Sequence, residues 1–374
     1  MNAIDCDLVV AGAGPVGLAT AIYARLAGMS VVVLDPRRHP EHKACGEGIM
    51  PRGVRALRDM GVEIPAGSCS PFIGIRFVDG TTVAEGRFSS APGWGIHRTA
   101  LWQAMSSHAA QVGAAIALGE KVTDWQRSSA GVEIGTTHRS ISARILVAAD
   151  GLHSGIRRKA GLDSRPARVR RYGMRRHYRC APWSPFVEVH WDELAEAYVT
   201  PVDSSTVGVA ILGRAGGRSH ADLLERFPIL RERLGDAVAV DRVLGAGPFG
   251  QKVRRVFGAG VVLVGDAAGY IDPLTGEGLT LGFDSAKALI SVLARGAALL
   301  EYQQAYRRLT WNHVVMTRGL LAIAARPALR RRVVRGLARA PELFDSFLAI
   351  NAGEKPLRQI GVTGALRAIG AALA

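Results

Sequence analysis

The sequence predicts an α/β fold in three parts: a helix-covered parallel sheet built from separated stretches of chain, a mostly antiparallel sheet inserted into it, and a helical C-terminal region. Three observations predict it. A strand–turn–helix–strand pattern opens the chain; short β-like runs punctuated by Pro and Gly follow; and from about Ala286 the apolar spacing is helical, interrupted at Pro327 and Pro341. With 374 residues, 48% hydrophobic and 21% charged, the chain can bury a large core, which excludes a disordered protein.

Residues 6–11 (CDLVVA) read as a buried strand, followed by Gly12-Ala13-Gly14-Pro15-Val16-Gly17. Pro15 and Val16 open a helix whose apolar face runs through Leu18, Ala19, Ile22, Tyr23 and Leu26 to Gly28. A second strand, Ser30–Leu34, ends at Asp35. Gly12 permits a tight turn, Gly14 lets backbone approach a pyrophosphate, and Gly17 packs helix on strand, so the helix N-terminus faces the phosphates. Asp35, 18 residues after Gly17, can accept hydrogen bonds from a ribose. A lone GxGxxG is weak evidence; this one has its strand, helix, second strand and acid in place.

A second GxGxxG, Gly245-Ala246-Gly247-Pro248-Phe249-Gly250, is read as an ordinary connection. Only Gln251–Phe257 separate it from the next turn, Gly258-Ala259-Gly260, too few for the helix the motif must open. The inserted sheet is assigned to Phe72–Val78, Thr81–Ala84, Val187–Trp191, Ala197–Thr200 and Thr206–Leu212.

Cysteines Cys6, Cys45, Cys69 and Cys180 are scattered without a CxxC pair, and no secretory signal is seen at the N-terminus. These features predict no disulfide framework, no metal site and a reducing, cytoplasmic setting. The 47 Lys/Arg against 32 Asp/Glu leave a charge of +15, which calls for an anionic partner. Seven arginines and no acid lie between Arg318 and Arg339, interleaved with Leu, Ile, Val and Ala. That pattern predicts peripheral docking on an anionic membrane surface rather than nucleic-acid binding, with a plain solvated helix face as the alternative. No uncharged apolar run reaches the roughly 18–20 residues needed to span a bilayer.

Four further stretches complete the set: Gly95-Ile96-His97-Arg98-Thr99 at a helix start; Val147-Ala148-Ala149-Asp150-Gly151, with Arg157 beyond; Val261–Val264 running into Gly265-Asp266-Ala267-Ala268-Gly269; and Asp272-Pro273-Leu274-Thr275-Gly276-Glu277-Gly278-Leu279 opening a helix. In this order they resemble the flavoprotein group that includes aromatic hydroxylases and geranylgeranyl reductases, over about residues 5–290. The resemblance implies a glutathione-reductase-type FAD-binding Rossmann domain formed by residues 1–70, 95–165 and 255–310. It also implies a substrate domain from 71–94 and 166–254, and a helical, basic region at 311–374. By the same resemblance Arg98 contacts the flavin cofactor, the backbone near Val122 meets the adenine, and Asp266 binds the ribityl–pyrophosphate region. Gly278 and Leu279 present a helix N-terminus to the isoalloxazine, where reduced flavin carries negative charge. Asp150 reads equally as a structural turn acid or a cofactor neighbour.

The segment Lys43-Ala44-Cys45-Gly46-Glu47-Gly48 looks like the geranylgeranyl reductase branch, where the equivalent loop lies beside the flavin and a cysteine faces the substrate channel. Ala44, Cys45 and Gly46 are therefore assigned to the cofactor, with Cys45 the candidate catalytic residue; otherwise Cys45 is a small buried hydrophobe. Leu281-Gly282-Phe283-Asp284-Ser285-Ala286 departs toward the hydroxylases, although Thr280 stands where many of those have asparagine. A Trp-x-Trp-x-Ile-Pro halogenase signature is absent. The expected activity is reduction of a C=C bond in a hydrophobic prenyl- or polyketide-like or lipid substrate, with NAD(P)H or another donor as transient reductant. The alternatives are an NAD(P)H-dependent aromatic hydroxylase working through a flavin hydroperoxide, and a flavin-binding, membrane-docked partner without turnover.

Overall fold

The computed structural model describes residues 4–39, 42–164, 170–214 and 217–355. Its first sheet runs in the order Phe257–Gly258, Val261–Leu263, Ser140–Ala148, Cys6–Ala11, Val31–Asp35, Ala115–Leu118. All neighbours are parallel except the Phe257–Gly258 edge; Val132–Thr136 and Val122–Arg127 extend the sheet antiparallel from Ser140–Ala148. The central strands are continuous β-branched and leucine runs because both faces of the sheet are covered: successive residues Leu8, Val9 and Val10 are all buried. Ala11 pairs with Leu34 on one side and Ala148 on the other, and Ala148 pairs with Leu263. This register brings four carboxyl-end loops, carrying Gly12, Asp35, Asp150 and Asp266, to one edge of the sheet.

Two glycines make that edge tight. Gly12 has φ +113°, and a Cβ there would lie 2.4 Å from the carbonyl oxygen of Ala149; a Cβ on Gly17 would lie 1.8 Å from that of Gly12. The helix Pro15–Leu26 therefore seats directly on its own turn, with Pro15 at its first position, where a missing N–H costs nothing. Its Val16 side chain packs against Gly265 and Gly282, which sets it against the helix Gly278–Ala294.

The second sheet runs Val238–Ala239, Arg171–Arg179, Thr206–Arg214, Ala195–Pro201, Phe186–Trp191, Gly74–Asp79, Thr82–Arg87, with Leu244–Ala246 also on Arg171–Arg179. It is antiparallel except where Phe186–Trp191 meets Gly74–Asp79, the seam between two pieces of chain that enter the sheet separately. No helix follows Gly250: Gln251 bridges to Tyr270, so the second glycine motif is a connection. A small sheet, Gly48–Ile49, Gly93–Ile96 and Cys69–Phe72, crosses the expected boundaries at 70 and 94.

Helices Leu299–Ala324, Pro327–Arg339 and Pro341–Asn351 follow, and each interrupting proline is the first residue of a new helix. Leu320, Val334, Phe344 and Leu348 pack with Phe77, Val189 and Trp191 of the second sheet. Of the apolar residues in the arginine run, Leu320, Leu321, Val334 and Leu337 thus cover this sheet, while Leu329 stays exposed. Arg330, expected on the cationic side, is buried, bonded by Nε to Asp79 Oδ2 at 2.8 Å and by Nη1 to the Asp192 carbonyl at 2.8 Å. Among the described residues no helix is long and apolar enough to cross a membrane.

Candidate active site

At the aligned strand ends lies a recess lined by Gly14, Asp35, Arg37, Lys43, Arg98 and Trp102. A Cβ built on Gly14 meets nothing within 4 Å, so the turn presents open backbone there. Trp102 Nε1 donates to the Ala13 carbonyl at 2.8 Å and holds the turn from the outside. The Asp35 carboxylate accepts from Ala13 N–H at 2.8 Å and from Arg37 Nε and Nη2 at 2.8 and 2.6 Å. Burial pushes its pKa up, but these donors outweigh it and hold the group below the usual carboxylate range. Arg98 enters from the helix Arg98–Gln111 with Nε and Nη1 buried and without a hydrogen-bond partner among the described residues. Burial, then Arg37 and Arg98, lower the pKa of Lys43. Unpartnered buried guanidinium nitrogens, a lysine and open helix-start N–H groups together fit an anionic dinucleotide diphosphate.

The Gly265–Ala268 turn is built by long-range bonds. Ser285 Oγ accepts from Gly265 N–H at 3.2 Å, Tyr306 Oη donates to the Ala268 carbonyl at 3.0 Å, and Arg157 donates to the carbonyls of Asp266 and Ala267. Asp266 has its pKa raised by burial, against the pull of Arg98 and Lys43. From this turn a cavity of ≈ 930 Å³ extends toward the second sheet, lined by Asp266, Tyr270, Gly278, Phe249 and Trp191 among others. Its floor includes the start of the helix Gly278–Ala294, whose free N–H groups favour negative charge on a bound group.

Cys45 is half-buried, and its Sγ accepts from Glu47 N–H at 3.4 Å. Burial raises the Tyr270 pKa well above that of a free phenol, and the negative charges of Asp266, Cys45 and Asp272 push it further. Glu47, at φ +57°, turns its carboxylate inward. Its Oε1 accepts from Arg98 N–H at 3.0 Å and its Oε2 bonds His177 Nε2; His177 Nδ1 lies 2.8 Å from Asp241 Oδ2. Burial opposes both charges, but their mutual attraction lowers the Glu47 pKa and raises that of His177. Ligand-type atoms of Glu47, His97 and His177 lie within 4.8 Å of one another, a grouping the sequence did not reveal. Here it fastens the cysteine loop and the start of the Arg98 helix to the second sheet.

The sequence-assigned residues thus converge in part. Gly14, Pro15, Asp35 and Arg98 line the recess, Gly12 and Gly17 pack within the turn that carries Gly14, and Asp266 and Gly278 line the cavity. Leu118, rather than Val122, lines the recess: the turn at Gly119–Glu120 is drawn over Asp35 by N–H bonds of 2.8 and 3.1 Å to its carbonyl, and Val122 starts the next strand. The Val16 and Leu279 side chains pack into the core, which leaves their helix-start backbone for a ligand. Ala44, Cys45 and Gly46 all lie outside both linings. Asp150 accepts from Ile156 N–H at 3.2 Å, the structural tie of its two readings. Arg37, two residues after Asp35, and Lys43 complete the recess and were not assigned from the sequence.

Comparison with known proteins agrees with this geometry. A family model described as "FAD binding domain" matches residues 5–314. The chain is 29% identical to a menaquinone reductase from Mycolicibacterium smegmatis, across 82% of this chain and 80% of that one. It is 28% identical to a digeranylgeranylglycerophospholipid reductase from Methanothrix thermoacetophila, across 81% and 82%. Among solved structures, a flavoprotein/dehydrogenase from Cytophaga hutchinsonii superposes with a TM-score of 0.84 at 19% identity, covering 97% of this chain and 98% of that one. The halogenase PltM in complex with phloroglucinol and FAD gives 0.76 at 17%, covering 94% and 86%. The chain therefore belongs to the FAD binding domain family and is an FAD-dependent oxidoreductase.

Proposed function

We propose that this flavoprotein reduces a carbon–carbon double bond of a hydrophobic prenyl- or polyketide-like substrate, with NAD(P)H or another donor as transient reductant. One observation carries the reading: the ≈ 930 Å³ cavity that joins the Asp266 turn and the Gly278 helix start to a wall of Trp191, Phe249 and Tyr270. Gly14, Lys43 and Arg98 would hold the diphosphate of FAD, and the helix start at Gly278 its ring edge. Bound FAD, once reduced, supplies a hydride. The chain's own work is to orient that group, favour negative charge at the helix start, and keep water from the reacting carbons. Similarity to reductases whose names specify menaquinone and an unsaturated glycerophospholipid supports this class of substrate.

The test is anaerobic. The flavin is reduced, mixed with menaquinone or with digeranylgeranylglycerophospholipid, and followed for reoxidation and for a product that stays two hydrogens heavier after any quinol has been oxidised back to quinone. Turnover that requires oxygen and yields a hydroxylated phenol would establish the monooxygenase alternative instead.

A further inference from the structure

Two histidines meet one glutamate where the cysteine loop joins the second sheet. Glu47 comes from that loop, His97 from the residue before the helix Arg98–Gln111, and His177 from the strand Arg171–Arg179. Ligand-type atoms of all three lie within 4.8 Å of one another, and the two imidazole rings cross at 68°. Glu47 and His177 are 2% and 1% exposed, and His97 is half-buried. Cysteine spacing predicted no metal site, but none of these donors is a cysteine.

Each histidine has a carboxylate behind it. Asp241 Oδ2 lies 2.8 Å from His177 Nδ1, and Asp203 Oδ2 lies 3.0 Å from His97 Nε2. A carboxylate oxygen only accepts, so each of those ring nitrogens carries the hydrogen and the opposite nitrogen keeps a lone pair. For His97 that nitrogen is Nδ1, which is buried and has no hydrogen-bond partner among the described residues. For His177 it is Nε2, turned to Glu47 Oε2. Two lone pairs do not face each other there unless a proton or a metal ion lies between them. Glu47 Oε1 accepts from Arg98 N–H, which leaves Oε2 toward the histidines. Carboxylates that orient the far nitrogens of two imidazoles are the outer shell of a metal site.

The surrounding charge suits a divalent ion. Glu47, Asp203 and Asp241 bring three negative charges. Arg175 brings one positive charge, with Nη1 on Asp241 and Nη2 on the Lys43 carbonyl. The Lys43 and Arg98 side chains line the recess, and Arg176 turns to the other face of its strand beside Tyr178. His42 stands at the edge, its ring 6.2 Å from that of His177. With both imidazoles neutral, two negative charges are left over in a dry setting, and one divalent cation cancels them. Zn–N and Zn–O bonds of about 2.0–2.2 Å put ligand atoms roughly 3.4 Å apart, within reach of a small rotation of the His97 ring.

We propose that Glu47, His97 and His177 bind a divalent transition-metal ion, Zn²⁺ by the chemistry of this donor set, with water in the fourth position. The ion clamps the cysteine loop and the start of the Arg98 helix to the second sheet. The site is independent of which substrate the protein reduces.

FAD-loaded protein, treated with EDTA and desalted, is titrated with Zn²⁺ by calorimetry, and the complex is read by zinc X-ray absorption. One equivalent is expected, with a nitrogen and oxygen first shell at about 2.0–2.2 Å that includes imidazole. His97→Gln should keep its flavin and lose the site, and Cys45→Ser should bind Zn²⁺ as the wild type does. Asp203→Asn keeps all three ligands and should weaken Zn²⁺ binding by roughly 10- to 100-fold, an effect a merely structural aspartate would not have. Flavin release on dilution should be several-fold slower with Zn²⁺ than after EDTA. Absence of binding, sulfur in the first shell, or wild-type affinity in His97→Gln overturns the site. Should His97→Gln fail to hold flavin, wild-type affinity in Asp203→Asn overturns it instead. Flavin release indifferent to Zn²⁺ overturns the clamp.

Discussion

The Arg157 guanidinium donates from Nη1 to the carbonyl oxygens of Asp266 and Ala267, at 3.4 and 3.2 Å, across more than a hundred residues of sequence. Its Nε bonds Asp163 at 2.6 Å and its Nη2 the Leu152 carbonyl at 3.0 Å, so one buried side chain shapes the turn that carries Asp266. Arg157→Lys keeps the charge but cannot span these acceptors. Losing one or two such bonds, at about 1–1.5 kcal/mol each, should weaken FAD binding by roughly 10- to 100-fold. Titration of apoprotein with FAD, read by flavin fluorescence, checks it; an unchanged affinity would show that the turn holds its shape without the arginine.

Gly14 presents bare backbone to the recess, with nothing within 4 Å of the position a Cβ would take. Gly14→Val should therefore fold but purify colourless, because the added side chain fills the space a diphosphate needs. Full flavin occupancy in that variant would remove the turn from the cofactor site.

Cys45 sits in the loop that Glu47 fastens to the second sheet and to the start of the Arg98 helix. Cys45→Ser should retain FAD and change the turnover number or the products, since it alters polarity with little change in volume. Identical kinetics would leave Cys45 a packing residue.

Glu277, at the start of the helix Gly278–Ala294, is buried and pushed up to about 8 by that burial, against Thr280 and Arg52, which act to lower it. The sign follows from linkage. Between about 4.5 and 8 the folded state binds this proton and the unfolded state releases it, so stability falls as pH rises through that window. Glu277→Gln removes the penalty. It should be more stable than wild type at pH 8.5, by on the order of a few kcal/mol, and close to wild type at pH 4. Urea unfolding at the two pH values measures the difference, and an equal gain at both would refute the linkage.

The arginine run divides into two classes. Arg330→Ala breaks a buried ion pair with Asp79 and should cost about 3–5 kcal/mol. Arg332→Ala and Arg335→Ala remove exposed side chains and should each stay within about 0.5 kcal/mol. We propose that exposed Arg326, Arg332, Arg335 and Arg339 give reversible binding to anionic vesicles, at about 1 kcal/mol each at most and weakened by salt. Sedimentation at low salt, against neutral vesicles and the Arg332/Arg335/Arg339 triple-alanine variant, tests this. Wild-type protein left in the supernatant would make these residues a solvated face.

The sequence by itself determined the nucleotide turn, because its demands are local: Gly12, Gly14, Gly17 and Asp35 act within thirty residues, and each has one steric or hydrogen-bonding reason to be what it is. The helical period of the C-terminal region was equally legible, but period alone does not say what an apolar face covers. Only the tertiary structure turned Leu320 and Val334 onto the second sheet and drew Arg330 inward to Asp79. It alone joined Glu47 to His177 and Arg171 to both Glu196 and Asp272, positions far apart in the chain that sheet register makes neighbours. The protonation of those groups also lay beyond the sequence, since it depends on how much water the rest of the fold removes from around each charge.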